Sequence, residues 1–329
     1  MNILVTGGAG YVGSHCVRRL LDAGHAVTVF DDLSSGHRAA VDPRAEFVEA
    51  DLSDPAAVAA ALRAGPFEAV MHFAGRLDVA ESVREPLLYF RANVLNTLHL
   101  LEAMRSAGVR RMVFSSSCAV YGLPDTLPIS EDLPNRPISP YGASKLAVEH
   151  MLRGCAAAWG LASVSLRYFN AAGAAADGSI GEDHRPEHHL IPVALQVALG
   201  RRSHLSILGT DYPTPDGSCI RDYVHVEDLA EAHRLAIEQM PQGQALALNV
   251  GTGRGYSVLE VVETVRRVTG QAIPVEPAPR RSGDPPALYA DPRRLRAQFG
   301  WEPRYADLTA IIESAWRWHR SHPDGFAGK

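Results

Sequence analysis

The chain has 329 residues, 46% of them hydrophobic, and a formal net charge of -5. No block of Lys or Arg accumulates, which argues against nucleic acid or an anionic membrane as partner, and no run approaches the roughly 20 apolar residues of a membrane span. The four cysteines (Cys16, Cys118, Cys155 and Cys219) form no C-x-x-C pair, so a reduced, cytoplasmic protein is expected rather than a disulfide framework.

Met1 leads into an apolar run without a basic segment, so no signal peptide is expected. Ile3-Leu4-Val5 reads as a parallel strand buried on both faces. It enters TGGAGYVG, which supplies Gly7, Gly10 and Gly13. A helical pattern follows, with Val12, Cys16, Leu20 and Leu21 on one side, and stops at Gly24. The next strand, AVTVF, ends at Asp31-Asp32. Glycines at such a turn let the backbone approach a pyrophosphate, and the helix N-terminus offers free N–H groups. Asp31 suits the adenosine ribose hydroxyls and repels a 2′-phosphate, so NAD is expected over NADP, with Arg38 outweighed by the two carboxylates.

The alternation continues. AEFVEADL (45–52), EAVMHFAG (68–75) and RRMVFSSS (110–117) read as strands with helical segments between them. Asp51-Leu52, Phe73-Ala74-Gly75 and Ser115-Ser116-Ser117 therefore fall at carboxyl ends of strands, where an open parallel sheet has its ligand crevice. The expected fold is a doubly wound α/β Rossmann sheet with a smaller, mixed α/β domain beside it.

After a Pro-rich loop, PYGASKLAVEHML begins a helix with Pro140 in its first turn. Tyr141 and Lys145, at i and i+4, share one face. A phenol ordinarily titrates near 10, so serving as a base near neutrality needs a shift of roughly 3 units, about 4 kcal/mol. The Lys145 ammonium and an oxidised nicotinamide are the two cations expected to supply it. Tyr141 would then take the proton of a substrate hydroxyl, Ser117 would hold the same oxygen, and Lys145 would also hold the nicotinamide ribose.

TGGAGYVGSH, the serine cluster and YGASK resemble the extended short-chain dehydrogenase/reductases. HFAG, ESVREPL, LRYFNAAG, GEDHRPEHHLIP, DYPTPDGSCIRDYVHVEDLA, NVGTGRGYSV and RRSGDPPALYAD extend the likeness, to the UDP-glucose 4-epimerase family, along nearly the whole chain. The resemblance implies tightly held NAD, a UDP-sugar substrate, a transient 4-keto sugar and a homodimer formed through segments 86–107 and 141–159. It implies a NAD-binding domain over 1–169, with 220–252 returning to it, and a UDP-sugar domain over 170–219 and 253–329. It assigns Tyr11, Val12, Asp32, Asn93, Tyr168 and Phe169 to the cofactor side, the last two lying between nicotinamide and sugar. Asn170, His189, Leu190, Leu208, Arg221, Arg281, Asp284 and Leu288 it assigns to the UDP-sugar.

The chain departs from the best-known bacterial pattern at Arg76-Leu77, at Ala92 and at Leu288, where a bulky Tyr often stands. Leu288 leaves room for N-acetylated sugars. A 4,6-dehydratase would need an acid and a base just after the strand-end serine, where Cys118 and Ala119 stand. A UDP-glucuronate 4-epimerase is chemically closer, but nothing here provides for a C6 carboxylate. A non-catalytic NAD sensor would not need the phenol, the ammonium and the serine together. GEDHRPEHH, with Glu182, Asp183, His184, His188 and His189, matches no standard zinc spacing and reads as a solvated loop; no metal is expected. GTGRGYSV looks like a second phosphate loop and reads as a strand-to-helix turn.

Overall fold

The computed structural model describes residues 1–281 and 284–326. Six parallel strands alternate with helices through the first half: β1 (Asn2–Thr6), β2 (Ala26–Asp31), β3 (Glu46–Glu49), β4 (Ala69–His72), β5 (Arg111–Ser117) and β6 (Ala162–Tyr168). A seventh strand, Ala245–Val250, arrives late in the chain and pairs with β6. Across the sheet the order runs β3, β2, β1, β4, β5, β6 and then Ala245–Val250. The order reverses between β1 and β4, so the crevice expected at such a switch lies beyond Thr6 and His72.

Period-two alternation divides the core between the two faces. Ile3 and Val5 join Val29, Met71, Val113 and Val164 under α1 (Tyr11–Asp22) and the helix Val226–Gln239. Leu4 joins Phe30, Val70, Met112 and Phe114 under α2 (Pro55–Ala64) and the helices Asn96–Ala107 and Pro140–Trp159. β1 and β4, at the centre of the sheet and buried on both sides, read as near-continuous apolar runs. A separate apolar core, with Leu195, Ile207, Val261, Val265 and Ile311, lies among the helices Leu190–Ala198, Val258–Thr269 and Leu308–Ser321. Among the described residues, three small sheets accompany it, built from short strands such as Ile220–Arg221 and Ala287–Leu288. No helix among the described residues is long and apolar enough to cross a membrane.

The first glycine turn depends on missing side chains. Gly7 has φ +73°, and a Cβ there would meet the backbone N of Ala74 at 2.4 Å; one on Gly13 would meet the Gly7 carbonyl oxygen at 2.1 Å. Gly7→Ala is therefore expected to cost about 1–3 kcal/mol of stability, read from the urea midpoint, and to reduce dinucleotide retention on purification.

Candidate active site

The carboxyl edge of the sheet gathers the residues that the sequence singled out. Gly10 caps α1 without a side-chain hydrogen bond, so no side chain competes for the first-turn N–H groups. Asp31 closes β2 and is 8% exposed. Its two carboxylate oxygens accept N–H groups from Ala9 and Leu33, each at 2.9 Å, and each oxygen keeps a second lone pair for a ribose hydroxyl. Arg38, the potential rival, lies with its guanidinium 4.5 Å above the Phe47 ring. Asp32 Oδ1 accepts the Ser34 N–H and hydroxyl, and the exposed Asp51 accepts the Ser53 N–H at 2.7 Å. Leu52 is buried.

After β4, the N–H groups of Phe73 and Ala74 both reach the Thr6 carbonyl, which brings this loop against Gly7. Asn93 sits behind the loop in a π-helical turn, Phe90–Leu95. Its amide takes the Arg76 N–H at 2.8 Å and donates to the Arg76 carbonyl and the Ser144 hydroxyl. A Cβ on Gly75 would meet Asn93 Oδ1 at 2.8 Å, so the asparagine braces the loop from beneath.

The helix Pro140–Trp159 is capped by Ser139, whose hydroxyl accepts the Gly142 N–H. Gly142 allows a close approach to the turn after β5, since a Cβ there would lie 2.4 Å from the Ala119 carbonyl oxygen. That contact sets Tyr141 beside Ser117. Both are buried, as is Lys145. Lys145 Nζ donates to the Ser115 carbonyl at 2.9 Å and lies 5.8 Å from the centre of the Tyr141 ring. The Ser115 and Tyr168 hydroxyls are 2.7 Å apart.

The first of the two expected cations, Lys145, lies beside a buried phenol. Burial pushes the Tyr141 phenol well above its ordinary pKa, the Tyr168 phenol adds to the rise, and a hydrogen bond with Ser117 opposes it only in part. Burial also lowers Lys145 to about 8. The ammonium faces the strand end, and desolvation outweighs its attraction for a phenolate. Lys145 alone does not ionise Tyr141.

A dinucleotide fits these residues. The turn approached at Gly7 and Gly13, the uncapped helix start, the pinned Asp31 and the buried ammonium are the parts that would receive pyrophosphate, adenosine ribose and nicotinamide ribose.

Facing this edge, Phe169 packs with Val120, Tyr121, Ile129 and Ala290, and Cys118 and Leu288 flank the same cluster. Asn170 begins a three-residue strand paired with Tyr223–His225. Arg221 is 11% exposed and holds Asp284 at 2.5 Å, and Arg281 is exposed nearby, within electrostatic range of Cys219 as Arg221 is. The Ser282-Gly283 step of that stretch lies outside the described residues. Leu208 ends the strand Leu205–Leu208, and His189 and Leu190 begin the helix Leu190–Ala198.

Two features escaped the sequence reading. Under the serines, Arg167 and Glu149 form a bidentate pair at 2.9 and 2.6 Å, both only 2% exposed. Glu149 also takes the Ser116 hydroxyl, and Arg167 donates to Tyr121, which donates to Asn249. Glu149 stands two turns beyond Tyr141 on the same helix face as Lys145, and that spacing was the available signal. The GEDHRPEHH stretch, expected as a solvated loop, is instead tucked in: Glu182 and Glu187 are 4% and 5% exposed. A Cβ on Gly181 would strike the Trp318 indole, so the C-terminal helix buries this loop. Burial alone would lower the His184 pKa, yet the two carboxylates lift it to about 9.

GTGRGYSV does make a strand-to-helix turn, between Ala245–Val250 and Val258–Thr269. The Asp222 carboxylate fills it, accepting N–H groups from Thr252, Gly253 and Ala290, so the protein's own anion sits where a phosphate would.

Comparison with known proteins adds an independent line. The model of the NAD dependent epimerase/dehydratase family matches residues 3–251. A UDP-glucose 4-epimerase of Streptomyces lividans is 53% identical over 324 residues, covering 98% of this chain and 97% of that protein. The crystal structure of UDP-glucose 4-epimerase from Brucella ovis in complex with NAD is 49% identical, with a TM-score of 0.92 over 96% of this chain and 97% of that one. The enzyme from Bifidobacterium longum in complex with NAD+ and UDP is 36% identical, with a TM-score of 0.95 over 99% of this chain and 100% of that one.

Proposed function

The chain belongs to the NAD dependent epimerase/dehydratase family, and from that premise we propose that it interconverts UDP-glucose and UDP-galactose at sugar C4. It is an NAD-dependent epimerase. The observation that carries the proposal is the convergence of Ser117, Tyr141 and Lys145, all buried, on the crevice edge of a sheet whose first turn suits a dinucleotide. NAD, when bound, supplies the two-electron acceptor that turns the C4 alcohol into a ketone and the donor that reverses the step.

The chain's own residues manage the proton and the geometry. Tyr141 takes the proton from the C4 hydroxyl and returns it to the ketone oxygen, and the Ser117 hydroxyl fixes that oxygen. Burial lifts the phenol, so bringing it to neutrality takes more than the roughly 3 units a free phenol would need, and the positive charge of an oxidised cofactor would add to that of Lys145 in supplying it. Proton abstraction is thereby tied to the oxidation state of the site, which suits a reaction that must run in both directions. Arg221 and Arg281 serve the diphosphate, Arg221 with its guanidinium oriented by Asp284. Asn170, His189, Leu190 and Leu208 border the nucleotide, and Phe169 and Leu288 the sugar. The sugar-nucleotide half comprises 170–219 and 253–329, against a nucleotide half of 1–169 and 220–252.

Conversion of UDP-galactose into UDP-glucose by the purified chain, without added NAD, is the expected result, followed by chromatography of the nucleotide sugars. Unchanged UDP-galactose after long incubation with NAD-loaded protein would sink the proposal. Leu288 in place of an aromatic ring supports a second activity, on UDP-N-acetylgalactosamine, read in the same assay. An exposed apolar stripe, Val83, Leu87, Phe90, Leu95 and Leu98, supports a homodimer through segment 86–107. The scattered free thiols support a cytoplasmic location.

A further inference from the structure

Glu182, His184, Glu187 and His189 each present one donor atom, and these atoms lie within 4.8 Å of one another. His189 Nδ1 is 3.0 Å from Glu182 Oε1 and 2.9 Å from Glu187 Oε1. His184 Nδ1 is 3.3 Å from Glu182 Oε1 and 3.5 Å from Glu187 Oε2. A ring nitrogen carries at most one proton, so two nitrogens cannot serve four such contacts. His184 Nδ1 is in fact buried without a hydrogen-bond partner. Glu182 Oε1, at 3.0 Å from His189 Nδ1 and 3.3 Å from His184 Nδ1, and Glu187 Oε2, at 3.5 Å from His184 Nδ1, have spacings near those of neighbouring donors around one ion. Bonds of about 2.0–2.1 Å in tetrahedral array place neighbouring donors about 3.3 Å apart.

Charge points the same way. Both carboxylates are more than nine-tenths buried, and among the described residues their ion-pair partners are these two histidines, with no Lys or Arg. One divalent cation balances two carboxylates and lets both imidazoles stay neutral, as metal ligation requires.

We propose that Glu182, His184, Glu187 and His189 bind a divalent transition-metal ion, with zinc the best match. Two imidazole nitrogens and two carboxylate oxygens form a closed N/O set of the size that zinc takes in structural sites, whereas magnesium and calcium need six or more oxygen ligands. Support around the ligands is present. Glu187 Oε1 accepts the backbone N–H groups of His188 and His189, each at 2.8 Å, which fixes the carboxylate plane and leaves Oε2 toward His184. The four residues come from a single loop, so the ion's work is local and structural. It replaces several hydrogen bonds in holding 182–189 in one shape. The His184 ring meets the Tyr11 ring edge-on at 6.3 Å, and His189 caps the helix Leu190–Ala198. The ion would therefore join the dinucleotide turn to the start of that helix.

The test uses the full chain with its NAD, purified without chelator and desalted. Elemental analysis is expected to find about one zinc or similar ion per chain, falling to about a tenth in His184→Ala and in Glu187→Gln. Stripping with dipicolinate should lower Tm by several degrees, one equivalent of zinc should restore it, and His184→Ala should respond to neither. Cobalt(II) added to stripped protein should give the intense visible band of a four-coordinate site, absent in the variant. If no metal copurifies, zinc leaves Tm unchanged and cobalt gives no band, the four groups are a hydrogen-bonded imidazolium–carboxylate ring and the proposal fails. It fails equally if His184→Ala and Glu187→Gln carry as much metal as the parent.

Discussion

Replacing Tyr141 by Phe is expected to lower turnover by about 10²- to 10⁴-fold while the dinucleotide stays bound. The ring is buried and packs edge-on against Tyr89 with centroids 6.4 Å apart, so removing one oxygen leaves the packing intact. What disappears is the group that exchanges a proton with the C4 oxygen. Ser117 remains beside the substrate oxygen, but an unperturbed serine hydroxyl is far too weak an acid or base to take over. Turnover is read by chromatography and NAD content from the denatured supernatant. Turnover within about threefold of the parent would exclude Tyr141 as the acid/base. Loss of NAD along with activity would mean that the phenol holds the cofactor rather than the proton.

The second large effect concerns the pair beneath the serines. Glu149→Gln leaves the Arg167 guanidinium buried beside a neutral amide, and removing one partner of such a pair costs about 3–5 kcal/mol. Urea unfolding measures it. Replacing both residues by Met removes the stranded charge, and stability is expected to return to within about 2 kcal/mol of the parent. Turnover is not expected to return with it. Glu149 is the point where the helix bearing Tyr141 and Lys145 is tied to Ser116 on β5 and to Arg167 on β6. A displacement of about 1 Å between phenol and serine can cost about 10²-fold. A double variant that recovers both stability and turnover would assign the pair to the fold alone.

Much of this architecture could be read directly from the sequence because the central strands β1 and β4, buried on both faces, leave near-continuous apolar runs, and β2 and β5 end at Asp31 and Ser117 on the crevice edge. Gly7 and Gly13 were readable for the same reason: only a missing side chain permits those approaches. Arg167 was not readable. It stands in β6, ASVSLRY, where an arginine looks like a surface residue, and its partner is eighteen positions earlier on a helix. The loop 181–189 was misjudged because its burial comes from Trp318, more than a hundred residues away, and local composition carries no trace of that contact. The two glycine turns TGGAGYVG and GTGRGYSV differ in what occupies them, and Asp222, which fills the second, lies far from it in sequence. The electrostatic expectation named two cations and left out the desolvation that burial adds to the shift they must supply.

The late arrival of the strand Ala245–Val250 has a consequence during synthesis. Until Val250 has left the ribosome, the outer side of β6 shows a row of unpaired N–H and C=O groups along Ser163–Tyr168, the kind of bare flank that other nascent chains can join. The nascent chain thus carries an incomplete sheet throughout the translation of the intervening segment, and its risk of misassembly in the cell is concentrated in that interval.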